Sequence, residues 1–83
     1  MSRRLTSEEL NLLKSVCPAT LESVSGDPLD LDSPTLRRLA DEMSSELLKR
    51  GITDGEINRY GLELEDVITK LIGTAIDRDE PQP

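Results

Sequence analysis

Residues 33–51, SPTLRRLADEMSSELLKRG, carry the clearest helix signal in the chain. Ser33 is predicted to cap the helix, Pro34 takes its first position, and Gly51 provides a left-handed stop. Apolar residues recur at helical spacing and form a stripe about 100° wide. The stripe consists of Leu36, Leu39, Ala40, Met43 and Leu47. The segment therefore predicts an amphipathic helix whose apolar side packs against other helices.

The polar side of this helix predicts surface ion pairs rather than a basic patch. Opposite charges stand four residues apart, which is the spacing at which helical side chains meet. The pairs are Arg37–Asp41, Arg38–Glu42 and Glu46–Arg50.

Residues 5–17 predict the first helix. Thr6 as the N-cap and Glu9 three residues later form a capping box, in which each side chain accepts a hydrogen bond from the other residue's backbone N–H. The helix should end near Cys17, because Pro18 follows it.

The last predicted helix runs from about Leu62 to Asp77 and is apolar over nearly half of its circumference. Its apolar residues are Leu64, Val67, Ile68, Leu71, Ile72, Ala75 and Ile76. A helix at the periphery of a domain needs a narrower stripe. We therefore expect this helix either to be the central one or to contact a second molecule as well as its own chain.

Two connecting segments predict less regular structure. Residues 18–26 form either a short helix that begins at Pro18 or a turn-rich connector. Residues 27–32, DPLDLD, predict an extended linker whose leucines pack on the bundle while its aspartates face water.

Residues 53–60 allow two structures. A capping-box pattern, Thr53 with Glu56, predicts a short helical turn that is ended by Gly61. The Asp54-Gly55 dipeptide instead predicts a hairpin turn between two short strands. The helical turn is preferred, because the flanking segments are too short to build a sheet.

Together these elements predict one all-α domain, a compact bundle of about four short helices. The chain has 83 residues, and at this size one hydrophobic core is only just sufficient. The core should be built from leucine, because the sequence has no Phe or Trp and one Tyr. The helical domain is assigned to residues 5–77, with an N-terminal tail at 1–4 and a disordered C-terminal tail at 78–83.

The composition argues against an enzyme. The chain has no histidine, which removes the usual general base and the commonest transition-metal ligand. Its one cysteine, Cys17, lies on an apolar helix face and is predicted to be a buried structural residue. A single cysteine also excludes an intramolecular disulfide. We expect no catalytic residues and no cofactor.

The formal charge of −7 is concentrated toward the C-terminus. Residues 51–83 carry −5, from eight acidic against three basic residues. Such a surface repels phosphate backbones and attracts basic proteins, so we expect a basic protein as partner and no direct contact with nucleic acid. The sequence has no apolar run that suits a signal peptide or a membrane span, so a cytoplasmic location is expected.

Residues 54–57, DGEI, resemble the middle of an EF-hand calcium loop. The resemblance fails at three ligand positions, which would be Arg50, Ile52 and Gly61, where the loop needs oxygen ligands. No metal site is therefore assigned, and a degenerate calcium-binding loop is kept as an alternative.

The composition and charge favour a small non-catalytic protein-binding module, a regulator, inhibitor or adaptor that uses its acidic C-terminal third. An immunity-protein or antitoxin-like role is one specific version of this class. The predicted contact residues of the module are Tyr60, Glu63, Asp66, Thr69, Gly73 and Asp77. Tyrosine is enriched at interface hot spots, and an exposed glycine would let a partner approach the helix closely. Two further alternatives are a structural homodimer, built on the wide apolar face of the last helix, and a nucleic-acid mimic.

Overall fold

The computed structural model of the protein describes residues 4–22, 24 and 26–79. Within these residues the chain forms four α-helices: α1 (Ser7–Val16), α2 (Pro18–Leu21), α3 (Ser33–Arg50) and α4 (Arg59–Asp79). A 3-10 turn at Pro28–Asp30 precedes α3, and a hairpin of β1 (Ile52–Thr53) and β2 (Glu56–Ile57) joins α3 to α4. The prediction of a compact all-α domain with about four helices is confirmed.

The two long helices, α3 and α4, form an antiparallel pair that is held at both ends. The hairpin joins them at one end, and at the other the Ser33 hydroxyl donates a hydrogen bond of 2.8 Å to the Asp79 carboxylate. α1 contacts both long helices and α2. The core is mostly leucine, as expected: its buried residues are Leu13, Cys17, Leu21, Leu29, Leu36, Leu39, Ala40, Met43, Leu64, Val67, Leu71 and Ala75.

The start of α1 follows its sequence signal. The Thr6 hydroxyl accepts a hydrogen bond from the backbone N–H of Glu9, and the Glu9 carboxylate accepts one from the backbone N–H of Thr6. The predicted capping box is therefore confirmed. α2 begins at Pro18, so the short helix is the correct choice for the first part of residues 18–26.

The two ends of α3 differ in detail from the prediction. Asp32 caps the helix by accepting a hydrogen bond from the backbone N–H of Thr35, and Ser33 is the first helical residue. At the other end Gly51 has φ −86° and ψ −2°, so it is not in the left-handed conformation. The predicted N-cap and the predicted left-handed conformation of Gly51 were therefore both wrong. The helix begins one residue earlier than predicted and ends before Gly51, as predicted.

The preferred structure for residues 53–60 was wrong, and the hairpin is correct. Ile52 pairs with Ile57 and Thr53 with Glu56 in an antiparallel register. Asp54 and Gly55 have φ values of +55° and +81°, which is the turn that an Asp-Gly dipeptide favours between twisted strands.

α4 begins three residues earlier than predicted and ends two residues later. Asn58 caps it, because its side-chain oxygen accepts a hydrogen bond of 2.8 Å from the backbone N–H of Gly61. Arg78 and Asp79, which the sequence assigned to a tail, are helical, and the Arg78 guanidinium donates to the carbonyl of Leu29. The rest of the predicted C-terminal tail, residues 80–83, lies outside the described residues, as do residues 1–3.

The linker before α3 was predicted to be extended, but Pro28–Asp30 forms a 3-10 turn. The Asp27 carboxylate accepts a hydrogen bond from the backbone N–H of Leu29 and so stabilises this turn. The expected packing is present: Leu29 is buried, Leu31 is half-buried and the aspartates are exposed.

Within the described residues, the predicted ion pairs along α3 do not form. Arg37 pairs instead with Asp79, at 2.8 Å. Glu42 accepts a hydrogen bond from the Thr20 hydroxyl, and Glu46 accepts one from the Tyr60 hydroxyl. Glu42 and Glu46 therefore connect α3 to α2 and α4. No helix in the described part of the chain is both long and apolar enough to cross a membrane.

Candidate functional site

A cleft of about 290 Å³ lies on the surface between α1 and α4. It is lined by Thr6, Glu8, Glu9, Leu12, Glu63, Asp66 and Lys70. The first four belong to α1 or its N-cap. The last three share one side of α4 because they are three and four residues apart. We call this group the α1–α4 cleft.

Lys70 joins the two walls of the cleft. Its ammonium group donates to the Glu9 carboxylate and, at 3.0 Å, to the backbone carbonyl of Arg4. Burial alone would raise the pKa of Glu9, but the hydrogen bonds from Lys70 and Thr6 and the attraction of the ammonium group lower it overall. Glu9 is thus ionised at neutral pH, and it serves both the helix cap and the contact between α1 and α4.

The remaining charges of the cleft are negative. Glu8, Glu63 and Asp66 are exposed, and none of them makes an ion pair or side-chain hydrogen bond within the described residues. With Glu9, four carboxylates line the cleft against the single ammonium group of Lys70. The lining residues therefore carry a net charge of −3, which attracts cationic groups.

The structure brings together two of the six predicted contact residues, Glu63 and Asp66. Thr69 and Asp77 are exposed further along α4, and Gly73 is half-buried. None of these three lines the α1–α4 cleft.

Tyr60 also lies outside the cleft and is occupied within its own chain. Its hydroxyl donates a hydrogen bond of 2.7 Å to the Glu46 carboxylate. Burial and the Glu46 carboxylate raise the pKa of Tyr60 to about 12. The phenol therefore remains neutral and ties the start of α4 to α3.

Cys17 is buried, in agreement with the sequence prediction. Burial, followed by the nearby carboxylates of Glu42 and Glu46, raises the pKa of its thiol to about 12. The thiol is therefore neutral at physiological pH, whereas a nucleophilic cysteine needs the thiolate.

The residues that resemble a calcium loop form the hairpin instead. Asp54 and Gly55 make its turn, and Glu56 pairs with Thr53 across the two strands. Among the described residues, no three His, Cys, Asp or Glu side chains are placed so that they could hold one metal ion together.

The sequence did not reveal the α1 half of the cleft. Glu9 was assigned to the helix cap alone, and Glu8 was counted only toward the charge. Their position beside Glu63 and Asp66 depends on how α1 packs on α4, which the local pattern does not encode. The pairing of Glu9 with Lys70 spans 61 residues of sequence.

A second surface feature is apolar. Among the residues that the structure describes, five large hydrophobic side chains are at least 40% exposed: Leu48, Ile52, Ile57, Leu62 and Ile76. Four of them belong to the end of α3, the hairpin and the start of α4. Large contiguous patches of exposed apolar surface mark contact sites, whereas single exposed apolar side chains are normal at a protein surface.

Comparison of the chain with models of protein families, with curated proteins and with solved structures finds no significant match.

Proposed function

We propose that the protein is a small non-catalytic binding module, which holds a basic protein partner through the carboxylates of the α1–α4 cleft. The observation that carries this proposal is the charge of the cleft. Four carboxylates face one ammonium group, and Glu9 already engages that group. A lysine or arginine side chain from a partner would pair with Glu63 and Asp66 and reduce the repulsion among the remaining acids.

The dimensions and lining of the cleft support a single basic side chain as its occupant. A volume of about 290 Å³ is at the lower limit of pockets that enclose small molecules. Leu12 is half-buried in the lining and offers an apolar surface to the methylene groups of a lysine or arginine.

The proposal favours a regulator, inhibitor or adaptor as the functional class. The most specific form of the proposal is a protein that neutralises a basic partner, as an immunity protein or antitoxin does. The neutral, buried thiol of Cys17 and the absence of histidine from the sequence support a non-catalytic role. A cytoplasmic location belongs to the same proposal.

Affinity capture from a native lysate tests the proposal. The full chain is immobilised as wild type, as Asp66→Lys and as Asp41→Lys. Asp41 is an exposed aspartate of α3 outside the cleft, so it controls for the same change of charge. At low salt, we expect the wild type and Asp41→Lys to retain the same protein and Asp66→Lys not to retain it. High salt should elute this protein, because screening weakens exposed charge pairs.

Two outcomes would contradict the proposal. One is that no protein is retained at low salt. The other is that Asp66→Lys, with an unchanged circular dichroism spectrum and melting temperature, retains every protein that the wild type retains.

A further inference from the structure

Lys70 has two carboxylates of the α1–α4 cleft as candidate partners and pairs with one of them. Asp66 precedes Lys70 by four residues on α4, and an acid four residues before a lysine makes a favourable helical pair. The Lys70 ammonium group instead donates to the Glu9 carboxylate and to the Arg4 backbone carbonyl, both on the α1 side of the cleft. Within the described residues, Asp66 is left without an ion pair.

The carboxylate that Lys70 binds is the most shielded one in the cleft. The Glu9 side chain is 15% exposed and the Lys70 side chain 31%, whereas Glu8, Glu63 and Asp66 are all exposed residues. A shielded charge pair is weakened less by water and salt than an exposed pair. Lys70 therefore occupies the position at which the cleft holds a cation most firmly. We call Glu8, Glu63 and Asp66 the outer carboxylates.

A cation from a partner is at a disadvantage in competing with Lys70 for Glu9. Lys70 is tethered beside Glu9 by the fold, so its local concentration does not fall when the protein is diluted. The Lys70 ammonium group also has a second acceptor, the Arg4 carbonyl at 3.0 Å, which the partner's cation would have to replace. The partner's cation is thus confined to the outer carboxylates.

We infer that Lys70 is an internal competitor for the α1–α4 cleft, which fills the position beside Glu9 and limits the cleft to one cation from the partner. This inference rests on the proposed function, since it assigns the basic partner to the outer carboxylates. Lys70 also repels that partner. A cation on Asp66 lies one helical turn from Lys70, and two like charges about 6 Å apart in water weaken binding about threefold.

The sign of the change on neutralising Lys70 distinguishes a competitor from a residue that is only structural. A neutral side chain at position 70 takes the charge of the lining residues from −3 to −4, frees Glu9 and removes the repulsion, so a competitor predicts tighter binding. A purely structural Lys70 predicts the reverse, because α1 would be held less firmly against α4 and the walls of the cleft would separate.

Titration of the ¹⁵N-labelled full chain with a peptide that carries one cation tests the inference. The peptide is acetyl-Gly-Gly-Arg-Gly-Gly-amide, and amide shifts at low salt report where and how tightly it binds. In the wild type we expect shifts at Glu63 and Asp66. In Lys70→Met the dissociation constant should fall about fivefold, from the lost repulsion and the freed carboxylate, and Glu9 should shift as well.

Two control variants accompany Lys70→Met. Lys14→Met removes the same charge at an exposed position of α1 outside the cleft, and it should change the dissociation constant less than twofold. Lys70→Arg keeps the charge and a donor for Glu9, so it should bind the peptide as the wild type does.

An affinity of Lys70→Met that equals or falls below that of the wild type would overturn the inference. So would an equal gain in Lys14→Met, because the general charge of the chain would then explain both. If Lys70→Met has a lower melting temperature, Lys70→Gln decides, since its amide group still donates to Glu9 but carries no charge. Lys70→Gln must then bind the peptide more tightly than the wild type.

The same titration separates this inference from the proposed function. Shifts in the wild-type cleft with no tighter binding by Lys70→Met would overturn the inference alone. A response in Lys70→Met and none in the wild type would support Lys70 as a competitor and contradict a basic partner for the wild-type cleft. The absence of any response in both chains would contradict both proposals.

Discussion

A Cβ atom on Gly61 would collide with the backbone carbonyl oxygen of Gly51, because the two glycines bring α3 and α4 into backbone contact beside the hairpin. The reverse is also true: a Cβ atom on Gly51 would come within 2.8 Å of the Gly61 Cα atom. The close approach fixes the hairpin end of the helix pair. It also gives both glycines a role in packing, in addition to the C-cap that Gly51 provides for α3 and in place of the helix end that was predicted at Gly61.

Gly61→Ala should destabilise the protein. Gly61 lies within α4, where helix propensity alone would make alanine more stable than glycine by about 1 kcal/mol. The overlap with Gly51 and with the Ile57 side chain should cost more, about 1–3 kcal/mol in net destabilisation. Urea unfolding measures the change, and an increase in the midpoint would contradict the backbone contact.

Asn58→Ala should cost about 2 kcal/mol, because Asn58 makes three contacts at the hairpin end. Its oxygen caps α4 at Gly61, and its amide nitrogen donates to the Arg50 carbonyl and the Thr53 hydroxyl, both at 2.9 Å. Asn58→Asp keeps the cap and loses the donor, so its loss of stability should be smaller. Equal losses in the two variants would show that the cap contributes nothing.

Glu9→Gln should reduce the dependence of stability on pH in the acid range. The folded pKa of Glu9 is lower than its ordinary value of 4.5, so its contribution is fully present above about pH 5 and is lost as the pH falls through the folded value. Glutamine keeps an acceptor for the cap but has no charge for Lys70. The variant should be about 0.5–1 kcal/mol less stable than the wild type at pH 7, as measured by urea unfolding, and this difference should shrink as the pH falls below 4.5 and through the folded pKa. A difference that stays constant as the pH falls would rule out the charge of Glu9 as the cause.

Cys17 should react with iodoacetamide only when the protein unfolds. Its thiol is buried, and its folded pKa is raised from 9.0 to about 12, so almost no thiolate is present at pH 8. The raised pKa also means that ionisation of Cys17 does not change the free energy of unfolding below about pH 9. From pH 9 toward 12 it lowers that free energy, because the thiol ionises more readily in the unfolded chain. Mass spectrometry of the labelled chain checks the rate in buffer and in urea, and fast labelling of the folded chain would contradict the burial.

The helices were predictable because their signals are local. The capping box of Thr6 and Glu9, the proline after Asp32-Ser33 and the spacing of leucines each act within one or two turns of helix. Ser33 was mistaken for the cap because Asp32 and Ser33 are both good N-cap residues. What decided between them is a partner 46 residues away, Asp79, to which the Ser33 hydroxyl donates.

The hairpin was the main failure, and it arose where two local signals overlap. The spacing of Thr53 and Glu56 suits a capping box, while Asp54-Gly55 suits a hairpin turn. Asn58 favours the hairpin, since it caps α4 and its amide group donates to the Thr53 hydroxyl and to the Arg50 carbonyl at the end of α3. A short hairpin thus persists where an isolated one would be marginal.

The candidate site was only half predictable for a similar reason. The excess of acids in the last third of the chain pointed to Glu63 and Asp66, and both line the α1–α4 cleft. The contributions of Glu8 and Glu9 depend on the contact between α1 and α4. Lys70 contributes to that contact through its ion pair with Glu9, which is 61 residues away in the sequence. No local spacing in the sequence indicates this pair.

The most direct test of the α1–α4 cleft is the affinity of the captured partner for three chains, measured by isothermal titration calorimetry at low salt. We expect Asp66→Lys to weaken binding at least tenfold relative to the wild type, since a cation then replaces a carboxylate that faces a basic side chain. Asp41→Lys should bind within about twofold of the wild type, because it makes the same change of charge outside the cleft. Equal affinities of Asp66→Lys and Asp41→Lys would contradict a specific role for the cleft. This holds whether both variants bind more weakly or more tightly than the wild type.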